Sequence, residues 1–435
     1  MSRIKVFFSR SASQGSFLRS IAALVTGTAS AQVIAILASP LLTRLYNPED
    51  FGVLSVFIAS LGALSVVSCG RYELAIPIVK TTVAALNILA LAVLINLACC
   101  IICAGVVIGF RSEISIFFNV PHLARHLWVL PVGIVLVSTY RSLTFLAIRD
   151  KQFGTVARTK FTQALSGVGL QLGFGALHSS ALGLILGNVA GQSAGVVFLG
   201  QCLIKRFKPM KSALRFKRVA AVAILHSRFP KYDMPAAGIN TLAANLPQFL
   251  LPVVFSPVVA GLYLLAYRVI SMPVAVVGQA VGQALYSHAR EASVDGKLTS
   301  FVGKIAISLG SLTILPLFIL FFFGEDLFTL LFGATWSTAG IYAGWLMLGA
   351  AVQFVYSPIS LMLLATNSQH INLIIQIFLF LAKSASIAFG YFSTDPLVTI
   401  KALAIADMTG YLFGVYLTFR QVTRWSSCRK QINGE

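Results

Sequence analysis

The chain is a succession of long apolar runs separated by short polar segments. Each run is about as long as a helix that crosses a bilayer. Because lipid cannot satisfy backbone polar groups, and because the alternation of membrane strands is absent, the pattern predicts an all-α polytopic membrane protein. Twelve spanning helices are expected, at roughly 17–42, 51–74, 82–110, 123–148, 155–177, 181–204, 229–255, 257–286, 301–323, 338–365, 371–392 and 397–419.

Composition supports a membrane protein. Hydrophobic residues make up 57% of the 435 residues and charged residues only 11%, with a mean hydropathy of +0.86. A soluble fold of this length could not cover its surface with so few charges. A cytoplasmic enzyme, a disordered chain and a secreted disulfide scaffold are therefore excluded as classes.

The charge is strongly basic, with 33 Lys and Arg against 13 Asp and Glu and a net charge of +20. Of these cations, 26 fall on one side of the twelve predicted spans, 4 on the other and 3 inside spans. The excess of Lys and Arg in cytoplasmic loops places both termini in the cytoplasm and explains the charge without a nucleic-acid partner. No cleavable signal peptide is expected, since the first 20 residues are basic and polar.

The basic segment KRFKPMKSALRFKR divides six predicted helices from six. We therefore expect an N-terminal lobe at 1–204, a cytoplasmic linker at 205–228 and a C-terminal lobe with a cytoplasmic tail at 229–435. Six helices per half suggest a parallel repeat. The turn NPEDFG at 47–52 has a counterpart, SPVVAG at 256–261, 209 residues later, which favours duplication.

Polar residues recur on single faces of six predicted helices. Arg268, Gln279 and Gln283 share a face of the eighth, and Lys383 shares one of the eleventh with Asn372 and Gln376. One such stripe is more typical of hydrogen bonding between helices. Six together, two of them with cations at depth, predict a lumen that water can enter.

The predicted lumen is cationic. Arg141, Arg268 and Lys383 lie inside spans, and Arg44 and Arg71 lie near helix ends. We expect these residues, with the two glutamines, to bind an anionic substrate, because the arginine fork suits phosphate. Asp407, the one acid clearly inside a span, and Asp233 are the candidate ion-coupling groups. The alternative for Asp407 is an ion pair with Lys383, which would make both residues structural.

Sites for other chemistry are not evident. The chain has no Walker loop and no HExxH motif, and its six histidines are scattered. Cys99, Cys100 and Cys103 lie in an apolar run and are expected to pack as small apolar residues. We therefore predict no catalytic residue, no metal and no cofactor. Four glycines of the sixth helix, at 183, 187, 191 and 195, predict a close approach of another helix.

Three segments carry a resemblance to a known family. SPLLTRLYNPEDFGVLSVF followed by GRYELAIP resembles the first hairpin of Wzx-type oligosaccharide flippases, which belong to the multidrug/oligosaccharidyl-lipid/polysaccharide (MOP) exporter superfamily. The segment from Phe229 to Pro273 resembles the start of their second half. FGATWSTAGIYAGWLMLGAAVQFVYSPIS is similar to their ninth-to-tenth helix region.

The resemblance implies two six-helix lobes around a central cavity. It also implies export of undecaprenyl-diphosphate-linked oligosaccharide across the bacterial inner membrane for O-antigen, capsule or exopolysaccharide synthesis, with a counter-ion gradient as the energy source. Arg44, Arg71 and Arg268 match arginines of the family's motifs by position, whereas Arg141 and Lys383 rest on depth alone. Membrane lipids are implied partners, and a polysaccharide polymerase and a chain-length regulator are candidate partners.

The sequence leaves three alternatives open. An ion-coupled multidrug antiporter of the same superfamily would need acidic residues in the lumen. A membrane-embedded polymerase would need a large external loop, and none of the predicted loops exceeds about 20 residues. A membrane scaffold would not need polar stripes.

Overall fold

The computed structural model describes residues 26–178, 180–207, 215–294, 298–366 and 368–433. Their regular structure is helical throughout. The α-helices are α1 (Thr26–Leu45), α2 (Pro48–Val67), α3 (Thr82–Phe117), α4 (Val129–Arg149), α5 (Phe153–Leu177), α6 (Ala181–Phe207), α7 (Phe216–Leu225), α8 (Met234–Ala244), α9 (Leu246–Val254), α10 (Pro257–Val294), α11 (Leu298–Phe332), α12 (Ser337–Ala365), α13 (Gln369–Ser393) and α14 (Pro396–Asn433).

Ten helices of the described chain are long and apolar enough to cross a membrane. They correspond to ten of the twelve predicted runs, although the start of the first run lies outside the described residues. The fifth predicted run forms α5, a continuous helix of 25 residues. Its mean hydropathy is too low for it to count among the ten, because its sequence includes Lys160, Gln163 and Gln171. The all-α membrane fold predicted from the sequence is confirmed.

The seventh predicted span is not one helix, and this expectation is wrong. Residues 229–255 form a π-helical turn at Phe229–Asp233, followed by α8 and α9. Asn245 interrupts the helix with φ −98° and ψ 10°, and Pro247 and Pro252 follow within α9. Because proline has no N–H and clashes with the preceding turn, these residues disfavour a continuous helix.

The expected linker at 205–228 also contains regular structure. Helix α6 continues to Phe207 and α7 occupies Phe216–Leu225, whereas 208–214 lie outside the described residues. Helix α7 has Lys217 and Arg218 in its first turn, followed by the apolar sequence VAAVAIL. Basic and apolar residues on one short helix are typical of a segment that lies along a membrane surface.

The chain forms two compact units. The first contains the described residues as far as Leu45 together with Phe57–Ile116 and Pro121–Leu242. Its core packs residues of α3, α4 and α6, among them Ile88, Leu146 and Leu199. The second contains Tyr46–Val56, Phe117–Val120 and the described residues from Ala243 onward.

The two related turns both cap helices. Asn47 and Asp50 form a reciprocal capping box: the Asp50 N–H donates to Asn47 Oδ1 at 2.8 Å, and the Asn47 N–H donates to Asp50 Oδ2 at 3.3 Å. At the start of α10, Ser256 Oγ accepts from the Val259 N–H at 3.4 Å. In both turns a proline follows as the first helical residue, where its missing N–H has no effect.

The same turns lie against each other within the second unit. Gly52 packs on the backbone of Pro257, and Gly261 packs on the backbone of Pro48. Equivalent residues therefore make equivalent contacts, as expected for a duplicated pair of helix starts. A side chain at either glycine would collide with the opposing backbone.

Three of the four glycines predicted to allow a close helix approach make such contacts in α6. Gly187 and Gly191 pack against Gly167 of α5, and Gly195 packs against Tyr140 of α4. Gly195 thereby helps to position the Tyr140 ring, which borders the cavity described below.

Candidate functional site

Arg71 is paired with an acid. It follows α2 in a left-handed conformation, with φ 60°, and its Nε lies 2.7 Å from Oδ2 of Asp233. The two side chains are 20% and 44% exposed. One residue predicted to bind substrate and one predicted to couple ions therefore neutralise each other within the first unit.

Glu73 is a buried acid that sequence analysis did not single out. It belongs to a short 3-10 helix, Tyr72–Ala75, and is completely buried. Within the described chain, neither of its carboxylate oxygens accepts a hydrogen bond from another residue. Burial raises the pKa of this carboxyl above its ordinary value of 4.5, and its own backbone N–H, Arg141 and Arg71 oppose the shift only in part. An acid inside the apolar segment ELAIP was the signal available in the sequence.

Arg141 borders a cavity of about 260 Å³ between α4, α5 and α6, whose lining combines apolar side chains with a few polar and charged ones. Its guanidinium donates to the backbone oxygen of Ser65 at 3.2 Å. Lys160 lines the same cavity, with its Nζ 5.3 Å from the centre of the Tyr140 ring. Lys160 lies within α5. We name this space the Arg141–Lys160 cavity.

Lys383 and Asp407 form the ion pair considered as an alternative above. Lys383 Nζ lies 2.9 Å from Asp407 Oδ1, and the side chains are only 12% and 17% exposed. Helix α12 approaches Asp407 closely at Gly349. Three tyrosines, Tyr263, Tyr267 and Tyr411, interact electrostatically with Asp407. The pair therefore lies in a dense region of the second unit.

Arg268 differs from the paired cations. It is half-buried in α10, and within the described chain it makes no hydrogen bond and no ion pair. Arg44, by contrast, is exposed near the end of α1. Gln279 and Gln283 belong to α10, but their side chains lie outside the described part of the structure.

The site residues therefore fall into two groups. Arg71 and Lys383 each have a carboxylate partner, whereas Arg268 has none among the described residues and Arg141 contacts Ser65. An arginine without a carboxylate partner keeps its fork of N–H donors for oxygens of another molecule. A group of three or more His, Cys, Asp or Glu residues that could hold a metal is absent from the described chain.

The family follows from the match over most of the chain. The family model described as "Polysaccharide biosynthesis protein" matches residues 41–340. The chain belongs to this family. No curated protein sequence matches it at a significant level.

Solved structures with the same fold are MOP superfamily transporters and a flippase. The lipid II flippase MurJ, in an inward closed conformation, has a TM-score of 0.66 at 14% identity, over 93% of this chain and 90% of MurJ. An outward-facing multidrug resistance MATE family transporter has a TM-score of 0.60 at 12% identity, over 93% of this chain and 96% of the transporter. A MOP superfamily transporter from Pyrococcus furiosus Vc1 gives 0.55 at 12% identity, over 93% and 96%.

Family and fold together confirm the resemblance found in the sequence. The protein is a multi-pass membrane protein of the polysaccharide biosynthesis family, and its fold is that of MOP superfamily transporters and of a lipid II flippase.

Proposed function

We propose that the protein translocates an oligosaccharide linked to undecaprenyl diphosphate across the bacterial inner membrane, for synthesis of a surface polysaccharide. The observation that carries this proposal is Arg268, a half-buried guanidinium without a carboxylate partner among the described residues. A cation at depth is costly unless an anion or water meets it. The diphosphate of the carrier lipid supplies such an anion, and the lipid II flippase with the same fold supports a lipid-linked substrate.

The pairing of the acids supports an anionic substrate over a cationic drug. Asp233 and Asp407 are the acids that a drug antiporter would offer to its substrate, and each is within 3 Å of a cation of this chain. A drug would have to displace Arg71 or Lys383. Arg141 and Arg268, in contrast, have no carboxylate within salt-bridge distance in the described chain.

Substrate binding is assigned to Arg268, Arg141, Arg44, Gln279 and Gln283. Arg71 and Lys383 would join when their ion pairs open. Protonation of Asp233 or Asp407 would release the paired cation, which is how we propose that an ion gradient is coupled to transport. Buried Glu73 is a third candidate for this role.

The remaining assignments follow from the same proposal. Both termini face the cytoplasm, and the lobes at 1–204 and 229–435 are duplicated halves joined by the basic linker at 205–228. Membrane lipids surround the protein, and a polysaccharide polymerase and a chain-length regulator act with it.

Arg268 provides the test. In cells that depend on this chain, Arg268→Ala should abolish surface glycan while the protein stays at normal abundance in the membrane, and Arg268→Lys should restore glycan in part. Lysine restores less because it presents a point charge in place of a fork. Arg420, an exposed arginine of α14, supplies the control Arg420→Ala. Wild-type glycan from abundant Arg268→Ala protein would remove this residue from the substrate site.

A further inference from the structure

The Arg141–Lys160 cavity combines charge and hydrogen-bonding groups inside the first unit. Arg141 comes from α4 and Lys160 from α5, and both are half-buried. Its lining residues include two cations and no carboxylate. Glu73 interacts with Arg141 electrostatically but does not line the cavity. Two half-buried cations around one space favour an anion there.

The other polar lining residues suit hydroxyl groups. Gln163 and Gln192 line the cavity, and each already uses its side-chain NH₂ group: Gln163 donates to the backbone oxygen of Gln192, and Gln192 donates to Asn188 Oδ1. Within the described chain, neither amide oxygen accepts a hydrogen bond. Each is therefore an acceptor for a donor such as a sugar hydroxyl.

The positions of these groups are held by packing. Tyr140 Oη and Thr159 Oγ1 share a hydrogen bond of 2.8 Å, and Gly195 of α6 lies against the Tyr140 ring. The ring in turn carries the Lys160 ammonium on its face. Lys160 is thus held beside the cavity by α4, α5 and α6 together.

The size of the cavity limits what it can hold. A volume of about 260 Å³ is below the range of about 300–1,000 Å³ that is usual for pockets holding drug-sized ligands. A polyprenyl chain or a complete oligosaccharide is larger than such a ligand. One sugar residue with an acidic group, or one phosphate group, is a smaller occupant that suits both the volume and the charge.

We propose that the Arg141–Lys160 cavity binds one anionic group of the translocated substrate, either the carboxylate of an acidic sugar or a phosphate of the carrier. Arg141 and Lys160 meet the charge, and Gln163 and Gln192 accept from hydroxyl groups. This inference rests on the proposed function and deepens it, because it gives the transporter a second anion site that is separate from Arg268.

Ligand binding to purified full-length protein tests the proposal without requiring transport. The probes are glucuronate, glucose and inorganic pyrophosphate, and the readout is the ligand-dependent shift in thermal unfolding. For the wild-type protein we expect at least one of the two anions to bind about ten-fold more tightly than glucose, since charge-assisted hydrogen bonds are worth at least that factor. Glucuronate binding identifies an acidic sugar as the source, and pyrophosphate binding identifies the diphosphate.

Variants assign the binding to the cavity. Lys160→Gln should lower the affinity for the anion about ten-fold. Lys160→Arg keeps the charge, and its affinity for the anion should be within about three-fold of the wild-type value. Lys401 lies over Trp345 at 4.9 Å in the second unit, so Lys401→Gln is a matched loss of a lysine on an aromatic ring and should bind as wild type does. Helical content by circular dichroism shows that each variant is folded.

Three results would overturn the proposal: no binding of either anion, equal binding of glucose, or unchanged anion binding by folded Lys160→Gln. Failure of the proposed function gives a different result, since wild-type surface glycan from Arg268→Ala does not affect anion binding at Lys160.

Discussion

Single residues in this protein differ chiefly in whether their charge is matched. Lys383 and Arg71 each form an ion pair with an aspartate, whereas Arg268 forms none within the described chain. Glu73 is a buried acid whose oxygens accept no hydrogen bond from another described residue. The sequence alone could locate the cations at depth because charges inside apolar runs are conspicuous. It could not assign their partners, since Arg71 and Asp233 are 162 positions apart and their contact depends on how the helices pack.

Glu73 should make the stability of the protein depend on pH. Its pKa in the folded protein is raised above the ordinary 4.5, so folding favours the protonated form. The stabilisation is complete below the unfolded pKa and is lost as the pH rises through the folded pKa. We therefore expect Glu73→Gln to flatten the fall in melting temperature over this pH window in detergent.

Exposed Glu325 of α11 provides the control for this prediction. The melting temperature of Glu325→Gln should depend on pH as that of the wild-type protein does. A Glu73→Gln profile that coincides with wild type throughout the acid range would contradict a raised pKa at Glu73.

The two ion pairs should differ in energetic weight because they differ in burial. Asp407→Asn leaves Lys383 buried without a partner and should cost about 3 kcal/mol or more. Asp233→Asn opens a more exposed pair and should cost less than about 1 kcal/mol. Chemical or thermal unfolding of both variants measures the difference. If Asp407→Asn is as stable as Asp233→Asn, the Lys383–Asp407 pair is not a structural element of the second unit.

At the scale of elements, hydrophobic length was a good guide to helices. Within the described residues, eleven of the twelve predicted runs contain one dominant helix, whereas 229–255 is divided into several segments. That run has the same apolar character as the others, but a π-helical turn and a break at Asn245 interrupt it. Hydropathy does not register such breaks, whereas the prolines at 247 and 252 were a local signal that a continuous helix would be strained.

The contact between α5 and α6 should not tolerate a larger side chain at its glycines. At Gly191, a Cβ atom would lie 2.8 Å from the Cα of Gly167, so Gly191→Ala must separate two backbones and should cost about 1–3 kcal/mol. Gly200 lies on the same helix with nothing within 4 Å of a Cβ position. Gly200→Ala should therefore be neutral, or stabilising by up to about 1 kcal/mol through its higher helix propensity.

Thermal unfolding of the two alanine variants compares the sites directly. Equal melting temperatures for Gly191→Ala and Gly200→Ala would contradict close packing between α5 and α6. A lower value for Gly191→Ala alone would show that the glycine spacing of α6 serves helix contact.

At the scale of the whole molecule, two related turns far apart in the sequence make equivalent contacts. The NPEDFG and SPVVAG turns both cap a helix, and in both the helix begins with proline. The glycine of each turn packs on the backbone of the proline in the other turn. The short motif was sufficient to suggest duplication from the sequence. Their direct contact could not have been predicted, because it depends on the path of the chain between residues 52 and 256.

The distribution of basic residues along the chain predicts the orientation of the protein in the membrane. Of the 33 Lys and Arg residues, 26 fall on the side assigned to the cytoplasm. Reporter fusions after Lys151 and within 208–214 should therefore give cytoplasmic signals, because such an excess marks the cytoplasmic side. Fusions after Arg125 and after Gly333 should give external signals, since each site is separated from the cytoplasmic sites by an odd number of predicted spans. An external signal within 208–214 would reverse the proposed orientation, and equal signals after Arg125 and Lys151 would remove α4 as a span.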